Sequence, residues 1–148
     1  MGLINNQKAY DAFLVWPEGA QSVEVCGRRI GFRFQIRMPN FRGNYLSCIE
    51  ELRFTLDGEP IDPEQMELLL NDKRFRMEEL PQMYKEYWNV NDCAVIEVLH
   101  EGGLEGTHRV GAVMRLRYGY SAYFGVCKVV TSTGERTLDF TGEGSGAA

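Results

Sequence analysis

The chain has no apolar run near the roughly 20 residues needed to span a bilayer, no CxxC pair, only two histidines and no excess of basic charge. Each absence excludes something. No transmembrane helix is expected, and no membrane partner. The opening MGLINNQKAYDAF lacks a basic segment followed by an apolar one, so no secretory leader is expected and the reading is cytoplasmic. Asn6 stands where a myristoylation motif needs a hydroxyl residue. Cys26, Cys48, Cys93 and Cys127 are scattered, which removes the zinc-ribbon and thioredoxin readings. Cys26 and Cys127 fall in apolar strand-like runs and are expected as small buried hydrophobes. His100 and His108 flank the turn EGGLEGT and could face each other across it. No third ligand stands at a metal-binding spacing, so no metal site is expected on this chain. Sixteen basic against 21 acidic residues argue against nucleic acid as the main partner.

What is present is ordinary globular composition, 44% hydrophobic and 25% charged, in a chain long enough to bury a core without staples. The charge is uneven. Arg28, Arg29, Arg33, Arg37 and Arg42 have no acid among them, residues 43–105 hold five bases and fifteen acids, and residues 106–134 hold four bases and no acid. Solvated strand faces explain this. So would two basic strands pairing in space to present a positive face, with Arg33, Arg115 and Arg117 as its stripe.

The dominant period is two. Phe32, Phe34, Ile36 and Met38 alternate with Arg33, Gln35 and Arg37; Val110, Ala112, Met114, Leu116 and Tyr118 alternate with Arg109, Arg115 and Arg117. Further strands are expected at Ser22–Cys26, Ile49–Leu56, Met66–Leu70, Arg74–Met77, Ala94–Leu99, Val126–Ser132 and Arg136–Phe140. Turns are expected at Asp57-Gly58, Asn71-Asp72 and Thr133-Gly134. The pattern predicts an all-β fold, an immunoglobulin-like antiparallel sandwich of about eight or nine strands, as one domain over 1–140 with a flexible Gly/Ser/Ala tail at 141–148. Helix is scarce, and Pro81–Trp88 is its best candidate.

No catalytic motif is found: no GxSxG, Walker loop, HExxH or dinucleotide fingerprint. The adjacent carboxylates Glu50-Glu51 and Glu78-Glu79 would point to opposite faces of a strand, which makes neither an acid–base dyad. No catalytic residue is expected here. One segment exceeds folding needs: Arg37 to Leu52, where a strand runs into Pro39 and a loop carrying Phe41, Arg42, Gly43 and Tyr45 follows. Aromatics and Arg in such a loop suit a protein interface or a sugar ring. Equally, Phe41 and Tyr45 could plug the end of the sandwich.

At this segment the chain resembles the small β subunit of bacterial C-glycoside deglycosidases. The resemblance is carried by R-x-P-x-x-R-G (Arg37, Pro39, Arg42, Gly43), the stretch LSCIE, the DGE turn at Asp57, the Trp88 region, the strand AVIEV, GGLEGTHRV and VMRLRYGY, from about Gly27 to Phe140. It implies a non-catalytic β-sandwich subunit of a carbon–carbon lyase, in a higher hetero-oligomer with a TIM-barrel α subunit resembling sugar-phosphate isomerases. That partner would carry a divalent metal, typically Mn2+, and cleave C–C or C–O glycosides whose sugar is already a 3-ketone. The ketone acidifies the neighbouring C–H, a base removes the proton, and the aglycone leaves by elimination while the metal stabilises the enolate. The metal ligands and base belong to the α subunit. Arg37, Pro39, Phe41, Arg42 and Tyr45 match the family's loop and are expected to line the subunit interface near the active site. The competing readings are a stand-alone carbohydrate-binding module, a lone enzyme, and a sandwich subunit of an unrelated complex.

Overall fold

A computed structural model describes residues 3–40, 42–118 and 128–141. Its described elements run α1 (Leu3–Leu14), β1 (Gln21–Val25), β2 (Arg28–Arg37), β3 (Asn44–Tyr45), β4 (Ile49–Leu56), β5 (Glu59–Pro60), β6 (Met66–Leu70), β7 (Lys73–Arg76), β8 (Tyr87–Trp88), β9 (Cys93–Leu99), β10 (Thr107–Tyr118) and β11 (Lys128–Asp139). One sheet has the order β1-β2-β9-β6-β7 and the other β11-β10-β4-β5, while β3 and β8 make a separate two-stranded ribbon. Every pairing is antiparallel. This is the all-β sandwich that the alternation predicts, with nine strands in its two main sheets.

The core follows from period two. Phe32, Phe34 and Ile36 of β2 and Val110, Ala112, Met114, Leu116 and Tyr118 of β10 are all buried, since side chains two apart share one face. Phe34 meets Phe54 of β4 edge-on at 5.3 Å and Phe32 meets Phe140 at 5.5 Å, so the aromatic contacts join the two sheets. Met38 continues the β2 face beyond the strand and is buried too.

The turns Asp57-Gly58 and Asn71-Asp72 have positive φ at both positions, the geometry of two-residue hairpin loops. Cys26-Gly27 is a third turn of this kind, with φ of 53° and 78°. Cys26 is therefore an exposed turn residue and not a buried strand residue; Cys127 lies outside the described residues. Thr133-Gly134 is no turn. Both lie inside β11, opposite Val113 and Ala112, and Gly134 serves close packing instead. A Cβ there would stand 3.0 Å from the Asp11 carbonyl oxygen and 3.3 Å from Leu14 Cβ, where α1 crosses the strand.

Helix differs from expectation in both directions. Pro81–Trp88 is not a helix: a 3-10 turn, Met77–Gln82, carries Pro81 inside it and gives way to β8. The 12-residue α1 has no periodic apolar stripe to announce it. Tertiary contacts hold it, with Leu14 and Val15 buried, Val15 bridging Ile36, and the Arg136 guanidinium donating to the Ala12 and Val15 carbonyls at 2.8 Å each. That is a C-terminal cap supplied from another element. Among the described residues no helix is long and apolar enough to cross a membrane. The tail from residue 142 lies outside the described residues.

The arginine-bearing strands do not pair. β2 and β10 belong to different sheets, so Arg33 lies on one outer face and Arg115 and Arg117 on the other. Each is neutralised where it stands. Arg33 pairs with Glu97 at 2.9 Å, Arg115 with Glu51 at 3.0 Å, and Arg117 with Glu50. A slip in the β4–β10 register, from Arg115↔Glu51 to Leu116↔Ile49, leaves Glu50 as the extra residue of a bulge. Glu50 and Glu51 consequently meet arginines of the same face, and they do not point apart. Glu78-Glu79 lies in the 3-10 turn, with Glu79 accepting from the Arg76 amide at 2.6 Å.

Close packing gives a test. A Cβ at Gly31 would lie 2.0 Å from the Val98 carbonyl oxygen, a backbone atom that cannot yield, whereas Gly27 has open space and only its positive φ against it. Gly31→Ala should lose more than about 3 kcal/mol in chemical denaturation, and Gly27→Ala about 1 kcal/mol.

Candidate functional site

The strand order sorts the loops into two ends. One end collects the exit of β2, the Asn71-Asp72 turn, the ribbon and the start of β9. The other collects the Cys26-Gly27 and Asp57-Gly58 turns and the Gly-rich loop from His100 to Gly106.

At the first end the chain leaves β2 and dives into the core. Met38, Pro39 and Asn40 are all buried, so Pro39 ends the ladder and faces inward. Phe41 lies outside the described residues. Arg42 is exposed. Gly43 then passes so near β8 that a Cβ would stand 2.3 Å from the Trp88 carbonyl oxygen and 2.9 Å from the Tyr87 hydroxyl. Only glycine fits, which gives the R-G step of the loop a physical reason.

The ribbon then sorts its four residues by face. Asn44 opposes Trp88 and Tyr45 opposes Tyr87. Trp88 is 0% exposed and Asn44 is buried; the indole donates to the Asp92 carbonyl at 2.9 Å, and Asn44 Nδ2 to the Arg117 carbonyl at 3.1 Å. The other pair faces out. Tyr45 is 44% and Tyr87 43% exposed, their rings in edge-to-face contact at 5.1 Å, and Tyr84 nearby in sequence is 69% exposed. Tyr45 therefore does not plug the sandwich; Met38, Leu46 and Trp88 do that.

Polar anchors fix this surface. Glu86 Oε2 accepts from Asn71 Nδ2 at 2.8 Å and Oε1 from Lys73 Nζ at 2.9 Å, while Asn71 also donates to the Tyr87 carbonyl at 3.0 Å. The Glu86 carbonyl accepts from the Leu46 amide at 2.9 Å. The Asn71 amide, then the Lys73 ammonium, hold the Glu86 carboxyl below its ordinary value. Arg37 is placed with equal care. Its guanidinium lies 4.2 Å from the Trp16 ring centroid and donates to the Asn91 carbonyl at 2.9 Å. No ion pair among the described residues includes Arg37, unlike Arg29, Arg33, Arg74, Arg115 and Arg117.

Of the residues expected from sequence, Arg37, Arg42 and Tyr45 thus share this end with Pro39 beneath them. Sequence reasoning missed Tyr84 and Tyr87, because a two-residue strand has no periodicity to read. The spacing Y-x-x-Y-W after a proline was the available signal. At the opposite end each histidine that flanks the Gly-rich loop lies against a phenylalanine. His100 packs on Phe32 at 5.7 Å and His108 on Phe140 at 6.0 Å, with those two phenylalanines in mutual contact. No group of three or more His, Cys, Asp or Glu among the described residues is placed to hold a metal ion.

Comparison with known proteins decides the family. The model of the C-glycoside deglycosidase beta subunit family matches residues 10–120. The chain belongs to that family. It is 30% identical over 109 residues to a 3'-dehydrocarminate deglycosidase beta subunit from a Microbacterium species, covering 74% of this chain and 83% of that one. It is also 30% identical over 95 residues to a C-glycoside deglycosidase beta subunit from Eubacterium cellulosolvens, covering 64% of this chain and 60% of the relative. The family match takes in Trp16, Arg37, the whole ribbon and Tyr84. As a family member the chain is a subunit of an enzyme complex.

Glu86 makes the anchoring testable. A carboxyl whose folded pKa is lowered contributes stability above its unfolded value, 4.5 here, and loses it as pH falls through the folded value. Glu86→Gln should flatten that part of the acid-denaturation profile while leaving the neutral-pH fold intact by circular dichroism.

Proposed function

We propose that this chain is the accessory, non-catalytic β subunit of a heteromeric C-glycoside deglycosidase, and that the tyrosine-bearing end is its contact with the catalytic subunit. The partner in this reading is a TIM-barrel α subunit in the cytoplasm, assembled with this chain into a higher hetero-oligomer. The reaction is elimination from a 3-keto glycoside, a carbon–carbon lyase step for C-glycosides. A divalent metal, Mn2+ by family resemblance, belongs with the partner and would supply Lewis-acid stabilisation there; the described residues of this chain do not fit as its ligands.

The observation that carries the interface is the exposure of Tyr45, Tyr84 and Tyr87 on a protein whose other faces are laced with ion pairs. Tyr, Trp and Arg dominate the energetics of protein contacts. Here the tyrosines adjoin a sequence segment with Arg37 and Arg42, and Gly43 and Glu86 hold the ribbon in place before any partner arrives. Such preorganisation lowers the ordering cost of association. In this reading Arg42 and the tyrosines meet the partner, Arg37 orients through Trp16 and Pro39 sets the loop's entry; Phe41, expected at the same interface, lies outside the described residues.

Co-expression with a neighbouring TIM-barrel reading frame, size-exclusion chromatography and turnover of a 3-keto C-glucoside with added Mn2+ test this. Co-elution with activity that neither chain has alone is the expected result. Tyr45→Ala with Tyr87→Ala should weaken association by about 10- to 100-fold with the fold preserved. A monomer that ignores the barrel and binds glycan by itself would replace this reading with the carbohydrate-binding module.

A further inference from the structure

The end opposite the tyrosines holds a histidine whose surroundings dictate its charge. His108, the second residue of β10, places Nδ1 2.7 Å from Asp57 Oδ2 and Nε2 2.9 Å from the Glu105 carbonyl oxygen. A carbonyl oxygen and an ionised carboxylate only accept hydrogen bonds, and a neutral imidazole has one N–H to give. Both contacts are satisfied together only when both ring nitrogens carry protons. The second oxygen of Asp57 is engaged as well, accepting from the Arg109 amide at 2.8 Å.

The β4–β10 pairing and a backbone bond from the Asp57 amide to the Arg109 carbonyl at 2.7 Å already hold the β4–β5 turn beside β10; the ring adds the link from the Asp57 side chain to the loop before β10. Asp57 is the first residue of the β4–β5 turn at φ 51°, and Glu105 belongs to the Gly-rich loop between β9 and β10. We propose that His108 is a proton-controlled latch, which fastens the β9–β10 loop to the Asp57 side chain while its ring is an imidazolium and gives up one of its two contacts when it loses a proton. Deprotonation removes one N–H and turns a lone pair towards either Asp57 or the Glu105 carbonyl, which converts an attraction into a repulsion.

The neighbouring charges leave Asp57 as the group that acts on the ring. The Glu105 carboxylate is taken by Arg29 of β2 at 2.8 Å. Arg109, next along β10, pairs with Glu135 of β11 at 3.1 Å. Asp139, at the end of β11, lies opposite Thr107 and accepts from the Thr141 amide, and Phe140 offers only its ring. The hydrogen bond to Asp57 raises the His108 pKa above 6.5, and the same bond lowers that of Asp57 below 3.8. The signs are consistent. A raised histidine contributes fully below 6.5 and is lost as pH rises through its folded value; a lowered aspartate contributes above 3.8 and is lost as pH falls through its own. The latch is closed between those limits and opens on the alkaline side.

The test uses the whole chain and needs no ligand or partner. Imidazole 15N spectra at pH 6 should show both His108 nitrogens protonated. Amide exchange at Arg109, corrected for its intrinsic base catalysis, should rise about fivefold as His108 titrates. Asp57→Asn keeps an oxygen for the Arg109 amide and tolerates the positive φ, but removes the charge. In that variant the His108 titration should move to lower pH and the step in exchange should disappear. A neutral His108 tautomer at pH 6, or Arg109 exchange that is flat across the titration, would overturn the latch. The wild-type titration decides this even if the variant does not fold.

Discussion

The structure depends on one constraint: two long strands of strict period two, β2 and β10, lie in different sheets and turn their apolar faces to a common interior. Nearly everything else is arranged around that. Each fully buried Phe or Leu contributes about 1.5–3 kcal/mol from burial, and a one-residue slip of either strand would carry its whole apolar set to the outside. The ring contacts from Phe32 and Phe34 across to Phe140 and Phe54 tie the sheets at several depths. The outward positions, freed from packing, hold the arginines, and each sheet answers them with its own carboxylates. Glu97 takes Arg33 and Arg74 on one side; Glu50 and Glu51 take Arg117 and Arg115 on the other.

This explains which parts of the fold are legible in the sequence. Alternation reports a face that must be buried, so β4, β6 and β9 can be read within a residue of their ends, while β2 begins at Arg28, ahead of the alternating run that marks it. Glycine is ambiguous in the same text. At Cys26-Gly27 it marks a turn inside an apolar run, and at Gly134 it marks a place where a helix leans on a strand. Only tertiary contact separates the two cases. The α1 helix is the clearest example of what local pattern omits: it is held by the burial of Leu14 and of Val15 just after it, and its cap is an arginine 121 residues further on. Even the basic clusters were misleading as a surface, because linear charge says nothing about the sheet to which a strand belongs.

The candidate site was half legible for a related reason. Pro39, Gly43 and the residues between them break a strand in a way folding does not require, and that break is visible in one dimension. Tyr84 and Tyr87 come from a distant segment and reach the same end through the β3–β8 pairing and the bonds from the Leu46 and Ser47 amides to the Glu86 and Met83 carbonyls. Two residues on each strand carry no period, so the ribbon had to be seen.

Those two residues are also the smallest unit that can face both ways. Successive side chains of a strand point to opposite sides, and each strand of the ribbon spends one residue on the core and one on the surface. Trp88 and Asn44 lock it inward; Tyr87 and Tyr45 are left facing out at 5.1 Å from each other. Closing the sandwich and presenting an aromatic surface are thus separate tasks assigned to alternate positions of one element. The opposite end reaches closure differently, through polar contacts to loop backbone: Ser22 Oγ donates to the Leu104 carbonyl and accepts from its amide at 2.7 and 2.9 Å, while His108 bridges Asp57 and Glu105. Of these contacts only the one from His108 to Asp57 joins two titrating groups. Both ends therefore carry one titrating anchor, Glu86 beside the tyrosines and His108 at the other, while the packing between them does not titrate.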